Sequence, residues 1–352
     1  MNSKIIASGS YIPKKIIKNN AFIKHSFLDA KGNKIDSDND EIISKFEAIT
    51  GIRERKYISE NLNSSDIAAE AAKNALNSSS IDPETIDYII LAHNIGDVCS
   101  NSNQVDAMPS LASRVKSKLK IKNPNCVAYD ILFGCPGWLE GLIQSNCFIK
   151  AGIAKRCLVI GSETLSRVID SSDRDGMIFS DGAGAVVTEC NNDNSGILSH
   201  KTVTYTDDGE IDYIFYGKSN GINSDNTKYI KMQGRKVYEF ALNKVPQAMK
   251  LCFDESGHDI IKLKKIFIHQ ANKKMDEAII NRFFKLYNIK APQNILPMNI
   301  EEYGNSSTAT IPTLYDLVVN SNYDGHRLKK GDLILFASVG AGMNINAVSY
   351  QF

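Results

Sequence analysis

The strongest constraint on how this chain folds is that it repeats itself. Tyr88-Ile-Ile-Leu-Ala-His-Asn94 resembles Lys265-Ile-Phe-Ile-His-Gln-Ala271, which sets His93 and His269 176 residues apart. Cys157-Leu-Val-Ile-Gly161 resembles Leu333-Ile-Leu-Phe-Ala337 at the same offset. Cys135 and Asn305, each after a strand-like run and a glycine, are 170 apart. Three landmarks in one order at nearly one offset point to an internal duplication, although identity between the halves is poor. A chain of 352 residues has room for two packed halves. We expect them at 1–194, carrying Cys135, and 195–352, carrying His269 and Asn305.

Short Ile/Val/Leu-rich runs alternate with longer amphipathic ones, the pattern of an α/β architecture with buried strands. Strands are expected at 88–92, 127–132, 157–160, 185–188, 265–268, 333–337 and 347–352. Helices are expected at 65–76, 109–119, 138–151, 236–253, 273–287 and 308–320, the first opened by Ser65-Asp66. Polar stretches at 31–40, 191–195 and 219–227 read as surface loops.

Basic and acidic residues nearly cancel, 41 against 40, so no charge footprint favours nucleic acid or a membrane surface. No run approaches 18 apolar residues and the N-terminal residues lack a signal-peptide core, so a cytoplasmic protein is expected. The seven cysteines form no CxxC pair and match no zinc spacing, so no metal is expected. Six of them read as small buried hydrophobes. The seventh, Cys135, stands apart.

Phe133-Gly-Cys-Pro-Gly-Trp138 makes a sharp turn from a strand into a helix and puts Cys135 near a helix N-terminus. That end of a helix favours the thiolate, the reactive form, although such a turn serves equally well for packing alone. His269, in Ile268-His-Gln-Ala-Asn272, sits at a strand's carboxyl end, the edge where α/β sites assemble, and a histidine there is often structural. Asn305, in Tyr303-Gly-Asn-Ser-Ser-Thr308, reads by itself as a turn or cap residue. Together the three supply a nucleophile, an imidazole and a neutral amide donor, which is the equipment for forming an acyl-cysteine and stabilising an oxyanion. Asp181-Gly-Ala-Gly-Ala-Val-Val187 is glycine-rich but runs into a strand, so it is no dinucleotide fingerprint. Gly340-Ala-Gly342, before the last strand, is placed to bring a backbone N–H to a ligand.

With these motifs the chain resembles the thiolase superfamily, most closely β-ketoacyl-ACP synthase III, nearly end to end. The resemblance rests on Lys4–Pro13, Thr50-Gly-Ile-Arg-Glu-Arg55, Gly134-Cys135, Asp173-Arg174, Phe179–Ala185, His269–Asn272, Tyr303–Ser307 and Gly340–Gly342. It implies a thiolase-like fold of duplicated βαβαβαββ halves in five layers, α-β-α-β-α, and a homodimer. It also implies a catalytic triad of Cys135, His269 and Asn305, with an oxyanion hole from the backbone N–H groups of Cys135 and Ala341. Substrate-binding positions implied by the match are Met108, Arg174, Asn272, Lys274, Gly340 and Gly342, Met108 lining the partner's acyl pocket. The substrates implied are acyl-CoA or acyl carrier protein thioesters, with no cofactor. The implied reaction is acylation of Cys135 and decarboxylative condensation with a malonyl-type extender.

Other branches of the superfamily resemble this layout less well. Elongating ketosynthases carry a histidine where Asn305 stands. Degradative thiolases carry a second cysteine where Ser338 stands, and hydroxymethylglutaryl-CoA synthases a glutamate near Asn94. The chain also departs from the acetyl-CoA enzymes: Lys45 and Ile49 stand where a tryptophan and an arginine would clamp the nucleotide. Glu239 stands at a basic carrier-docking position, with Arg235, Lys236 and Lys274 nearby, and the segment 95–107 is longer. A specialised lipid or polyketide role is therefore expected. The alternatives are condensation of two long acyl thioesters, acyl transfer to oxygen or nitrogen, and a non-catalytic partner subunit.

Overall fold

Apolar runs that alternate with amphipathic helices have to bury both strand faces, and here they do so in two sheets wired alike. The computed structural model describes residues 2–102, 104–193, 195–221 and 226–352. The first half runs β1 (Asn2–Tyr11), β2 (Lys15–Lys18), α1 (Asn39–Thr50), β3 (Glu54–Tyr57), α2 (Ser64–Ser78), β4 (Tyr88–Ala92), α3 (Leu111–Lys118), β5 (Val127–Ile131), α4 (Gly137–Lys150), β6 (Arg156–Thr164) and β7 (Asp181–Asn191). The second runs β8 (Gly196–Thr204), β9 (Ile214–Lys218), β10 (Lys228–Met232), α5 (Gly234–Glu255), β11 (Leu263–Ile268), α6 (Lys273–Lys285), α7 (Ile300–Tyr303), α8 (Thr310–Ser321), β12 (Leu333–Gly340) and β13 (Asn344–Gln351).

The first sheet has the order β1-β7-β6-β4-β5, and the second β8-β13-β12-β11. In the first, β7 is antiparallel to β1 and β6, while β4 is parallel to β6 and β5. In the second, β13 is antiparallel to β8 and β12, while β11 is parallel to β12. Exchanging β1, β7, β6 and β4 for β8, β13, β12 and β11 reproduces the scheme. The place of β5 is taken in the second half by a non-strand segment whose Ile295 carbonyl accepts from Ile266 N–H at 2.8 Å.

Between the sheets lie α4 and α8. Their apolar faces (Trp138, Leu142, Ile311, Leu314, Tyr315) pack against Val159 and Val186 on one side and Phe267, Phe336 and Val348 on the other. Outside the first sheet, α2 and α3 bury Ala68, Ala72, Leu111 and Val115. Outside the second, α5 and α6 bury Phe240, Met249, Ile279 and Phe283. The result is the expected α-β-α-β-α stack. Trp138 is 1 % exposed and edge-on to Phe336 at 5.9 Å, so it is a keystone of the middle layer and not a ligand clamp. Emptying such a site costs about 3–5 kcal/mol.

Smaller elements wrap the end of the stack where the motifs converge. The Thr50–Arg55 motif is structural: Gly51 ends α1 in the left-handed conformation (φ +77), and Arg55 is fully buried. The Arg55 guanidinium donates to Met177 O, Ile17 O and Asn19 Oδ1. The β9–β10 hairpin is anchored by Lys231, whose Nζ reaches Asp170 at 2.5 Å and Asp173 at 3.0 Å. The 31–40 stretch is a loop except at its end, where α1 begins at Asn39. Of the segments at 95–107, 191–195 and 219–227, residues 103, 194 and 222–225 lie outside the described residues. Cys99 and Cys147 are exposed, so only some of the cysteines are buried packing residues as expected. No helix among the described residues is long and apolar enough to cross a membrane.

Candidate active site

Two glycine turns, one from each half, meet backbone to backbone. Gly134, after β5, has φ +66, and a Cβ there would lie 2.6 Å from Ala341 N. A Cβ on Gly340 would lie 2.4 Å from Cys135 N. Only glycine permits that approach, and its consequence is that Cys135 and Ala341 line one cavity. Gly340 therefore makes room for Cys135, and Gly342 (φ +75) shapes the turn. Neither lines the cavity itself.

Cys135 lies just before α4, as expected, with Gly137 N–H bonded to Gly134 O at 3.0 Å. The expectation of a favoured thiolate does not hold at rest. Burial pushes the Cys135 thiol up to about 12; the Ser307 hydroxyl, donating to Sγ at 3.1 Å, and a backbone hydrogen bond only partly offset this.

His269 follows β11 and is 4 % exposed. Burial holds its imidazole down to about 4, with a backbone hydrogen bond to Ser307 acting the other way, so the ring is neutral at pH 7. Its Nδ1 is buried without a partner among the described residues. Asn305 is seated by backbone bonds to Ile178 O (2.9 Å) and from Ser180 N–H (2.8 Å), which tie its loop to the first half. Its Oδ1 accepts from Ser307 N–H at 2.8 Å, which directs the amide and leaves Nδ2 as a donor.

Cys135, His269, Asn305 and Ala341 share a cavity of about 170 Å³ whose walls are mostly apolar, including Leu165, Phe179, Ile214, Phe215 and Val339. A wider cleft of about 580 Å³ opens beside it to the surface. The two lie side by side and share the lining residues Met232, Val237, Ala271 and Met275. Two other large clefts contain none of the three polar residues.

Arg174 and Asn272 line the outer cleft, together with Lys45, Ile49 and Arg235. Asn272 also caps α6, its side chain accepting from Met275 N–H at 3.1 Å. Lys274 is exposed and lines neither cleft nor cavity. Met108 is 87 % exposed and does not line the cavity of its own chain. The aromatic residues of the outer cleft are Phe46 and Tyr238, and Phe46 already packs against the Arg55 guanidinium at 5.7 Å. Glu239 pairs with Arg235 at 2.8 Å on α5.

Three residues were not expected at the site. Ser307, inside the quoted asparagine motif, holds the sulfur of Cys135. Asn94, at the end of β4, lines the cavity and donates to Ser307 Oγ at 2.8 Å. Glu163, 1 % exposed at the end of β6, accepts from Asn94 Nδ2 at 2.5 Å. A polar residue closing an otherwise apolar strand run was the available signal for Glu163.

Residues 129–206 match the family described as 3-oxoacyl-[acyl-carrier-protein] synthase III, and residues 253–352 match its C-terminal part. The first stretch contains Cys135, and the second contains His269 and Asn305. β-Ketoacyl-[acyl-carrier-protein] synthase III of Prochlorococcus marinus is 33% identical over 355 residues, covering 99% of this chain and 95% of that one. The chain belongs to the β-ketoacyl-ACP synthase III family. The Aquifex aeolicus member is 32% identical over the full length of both proteins. The Aquifex aeolicus crystal structure superposes with a TM-score of 0.81 at 31% identity, over 99% of this chain and 100% of that one. As a β-ketoacyl-ACP synthase III family member the chain is an acyltransferase with the thiolase-type fold. In this chain the site is bounded by the Pro136-Gly137-Trp138 helix start, the outer cleft with Lys45 and Ile49, and the Glu163–Asn94–Ser307 chain behind the sulfur.

Proposed function

We propose that this protein acylates Cys135 from an acyl thioester and condenses that acyl group with a malonyl-type extender carried on acyl carrier protein. The supporting observation is that Cys135, His269, Asn305 and Ala341 line one apolar cavity that adjoins an open surface cleft. Site and cavity draw on both 1–194 and 195–352, the two units into which we divide the chain.

At rest the site holds a neutral thiol and a neutral imidazole. As the donor carbonyl reaches the sulfur, His269 accepts the thiol proton and returns it to the departing thiol. The tetrahedral oxyanion is held by the backbone N–H groups of Cys135 and Ala341. His269 is then neutral again, and a tautomer shift that places its one proton on the cavity-facing nitrogen gives it an N–H to donate. That N–H and Asn305 Nδ2 bind the extender's thioester carbonyl; loss of CO2 leaves an enolate that both donors stabilise. The enolate carbon attacks the acyl-cysteine, expels the Cys135 thiolate and yields the β-ketoacyl thioester. A proton from solvent restores the thiol. Each donor to the enolate contributes about 3 kcal/mol.

A dry cavity near 150 Å³ holds a benzene-sized guest, so about 170 Å³ suits an acyl group of roughly six carbons. Space of that size exceeds acetyl. The outer cleft offers Lys45, Arg174 and Arg235 for phosphate but no tryptophan for an adenine, which favours a carrier-bound donor and a specialised pathway. The exposed apolar residues Met108, Val127 and Leu132 border edge strand β5, and we assign this face to a second copy. Acylation with acetyl-CoA, hexanoyl-CoA and hexanoyl-carrier protein side by side is the test. Fast, saturable acylation by micromolar acetyl-CoA would restore a housekeeping priming role.

A further inference from the structure

Behind the cavity lies a buried acid that this reaction scheme leaves unused. Glu163 accepts from both ends of Asn94: from Nδ2 to Oε1 at 2.5 Å and from the main-chain N–H to Oε2 at 3.3 Å. The other hydrogen of the same amide goes to Ser307 Oγ at 2.8 Å. With both hydrogens committed, the direction of the Asn94 amide is fixed. Ser307 Oγ thus accepts from Asn94, and its single proton is left to point at Cys135 Sγ, 3.1 Å away. Thr308 Oγ1, 3.2 Å from Glu163 Oε1, seats the same turn against β6.

We propose that Glu163 and Asn94 are positioning residues that hold the Ser307 hydroxyl proton on the Cys135 sulfur, making Ser307 the donor to the thiolate whenever it forms or departs. This rests on Cys135 being the nucleophile. A buried thiol raised to about 12 gains most from a donor that is already aimed, because a freely rotating hydroxyl spends its proton on other acceptors. The orienting group must also not repel the thiolate. Burial lifts Glu163 to about 7, so near neutrality it is only partly charged, while its ionised form raises the thiol of Cys135. The titratable groups that face it are His93 at the end of β4, Cys135, and Tyr216 on the β9–β10 hairpin.

The test is the rate of iodoacetamide alkylation at Cys135, followed by peptide mapping between pH 6 and 10 on the full chain. Ser307→Ala should lower the rate about tenfold across the range. Asn94→Ala, which leaves the hydroxyl but frees it, should lower the rate about threefold; it also serves if Ser307→Ala does not fold. In the wild type the rise of log rate with pH should bend to a lower slope near pH 7 as Glu163 ionises. Glu163→Gln, which keeps an acceptor for Asn94, should remove the bend. Variants that melt earlier yet keep the wild-type rates and bend would overturn the proposal. Acyl uptake surviving in Cys135→Ala would overturn the catalytic reading, and the proposal with it.

Discussion

His93 and His269 stand at the same place in two copies of one scaffold, each just past the end of an equivalent parallel strand and each nearly fully buried. Their neighbours differ. His93 Nε2 lies 3.1 Å from Asp130, whose carboxylate also accepts from Leu111 and Ala112 N–H at the start of α3. His269 pairs with no acid among the described residues, while the Nδ1 atoms of both rings are buried without a partner there. Asp130 fixes the orientation of the His93 ring, whereas the His269 ring, with no such partner, is held neutral by burial. Duplication supplied two equivalent positions, and the acid on β5 separates their uses.

The largest effects expected from that difference are catalytic. His269→Ala and Asn305→Ala should each slow extender decarboxylation 100- to 1,000-fold, with a smaller loss in acylation of Cys135. Single-turnover assays separate the two stages. Equal losses in both would assign His269 mainly to activating the thiol.

The second effect is on acid stability. His269 is held near 4 in the fold against 6.5 in the unfolded chain, so between those values the unfolded state binds more protons. Its contribution is absent above pH 6.5 and turns against folding as pH falls towards 4, by roughly 3 kcal/mol at most. Urea melts of wild type and His269→Asn from pH 7 to 4 should therefore shift steadily in favour of the variant. A gap that does not move with pH would contradict the buried neutral ring.

The smallest effect belongs to the first-half histidine. His93→Ala removes one of the hydrogen-bond partners of the part-buried Asp130 carboxylate, leaves a small void, and should cost about 1–3 kcal/mol of stability, measured by thermal or urea melts. Condensation by the folded fraction should stay within about tenfold of wild type. A loss as large as that of His269→Ala would erase the distinction between the two residues.

Much of this contrast is legible in the chain itself. The strands around 88–92, 157–160, 265–268 and 333–337 are buried on both faces and read as unbroken apolar runs. The glycines beside Cys135 and Asn305 mark turns that no other residue would allow. The outer elements are harder to read. β8 (Gly-Ile-Leu-Ser-His-Lys-Thr-Val-Thr) is an edge strand, and most of it is only half-buried. β9 and β10 are a half-exposed hairpin held by one buried lysine, and α1 starts inside a polar stretch. Glu163 could not be read as part of the site, because an acid ending an apolar run looks like the start of a loop. Only the fold encloses it between Asn94 and Thr308. The same holds for the thiol: the helix start is visible in the sequence, whereas the desolvation that raises the thiol belongs to the assembled cavity.

The measurement that tests the account most directly is intact-mass analysis after incubation with hexanoyl-carrier protein, followed by peptide mapping. One acyl group should be gained, carried on Cys135, and Cys135→Ala should gain none. An acyl group mapped to another residue, or full uptake by Cys135→Ala, would contradict the account.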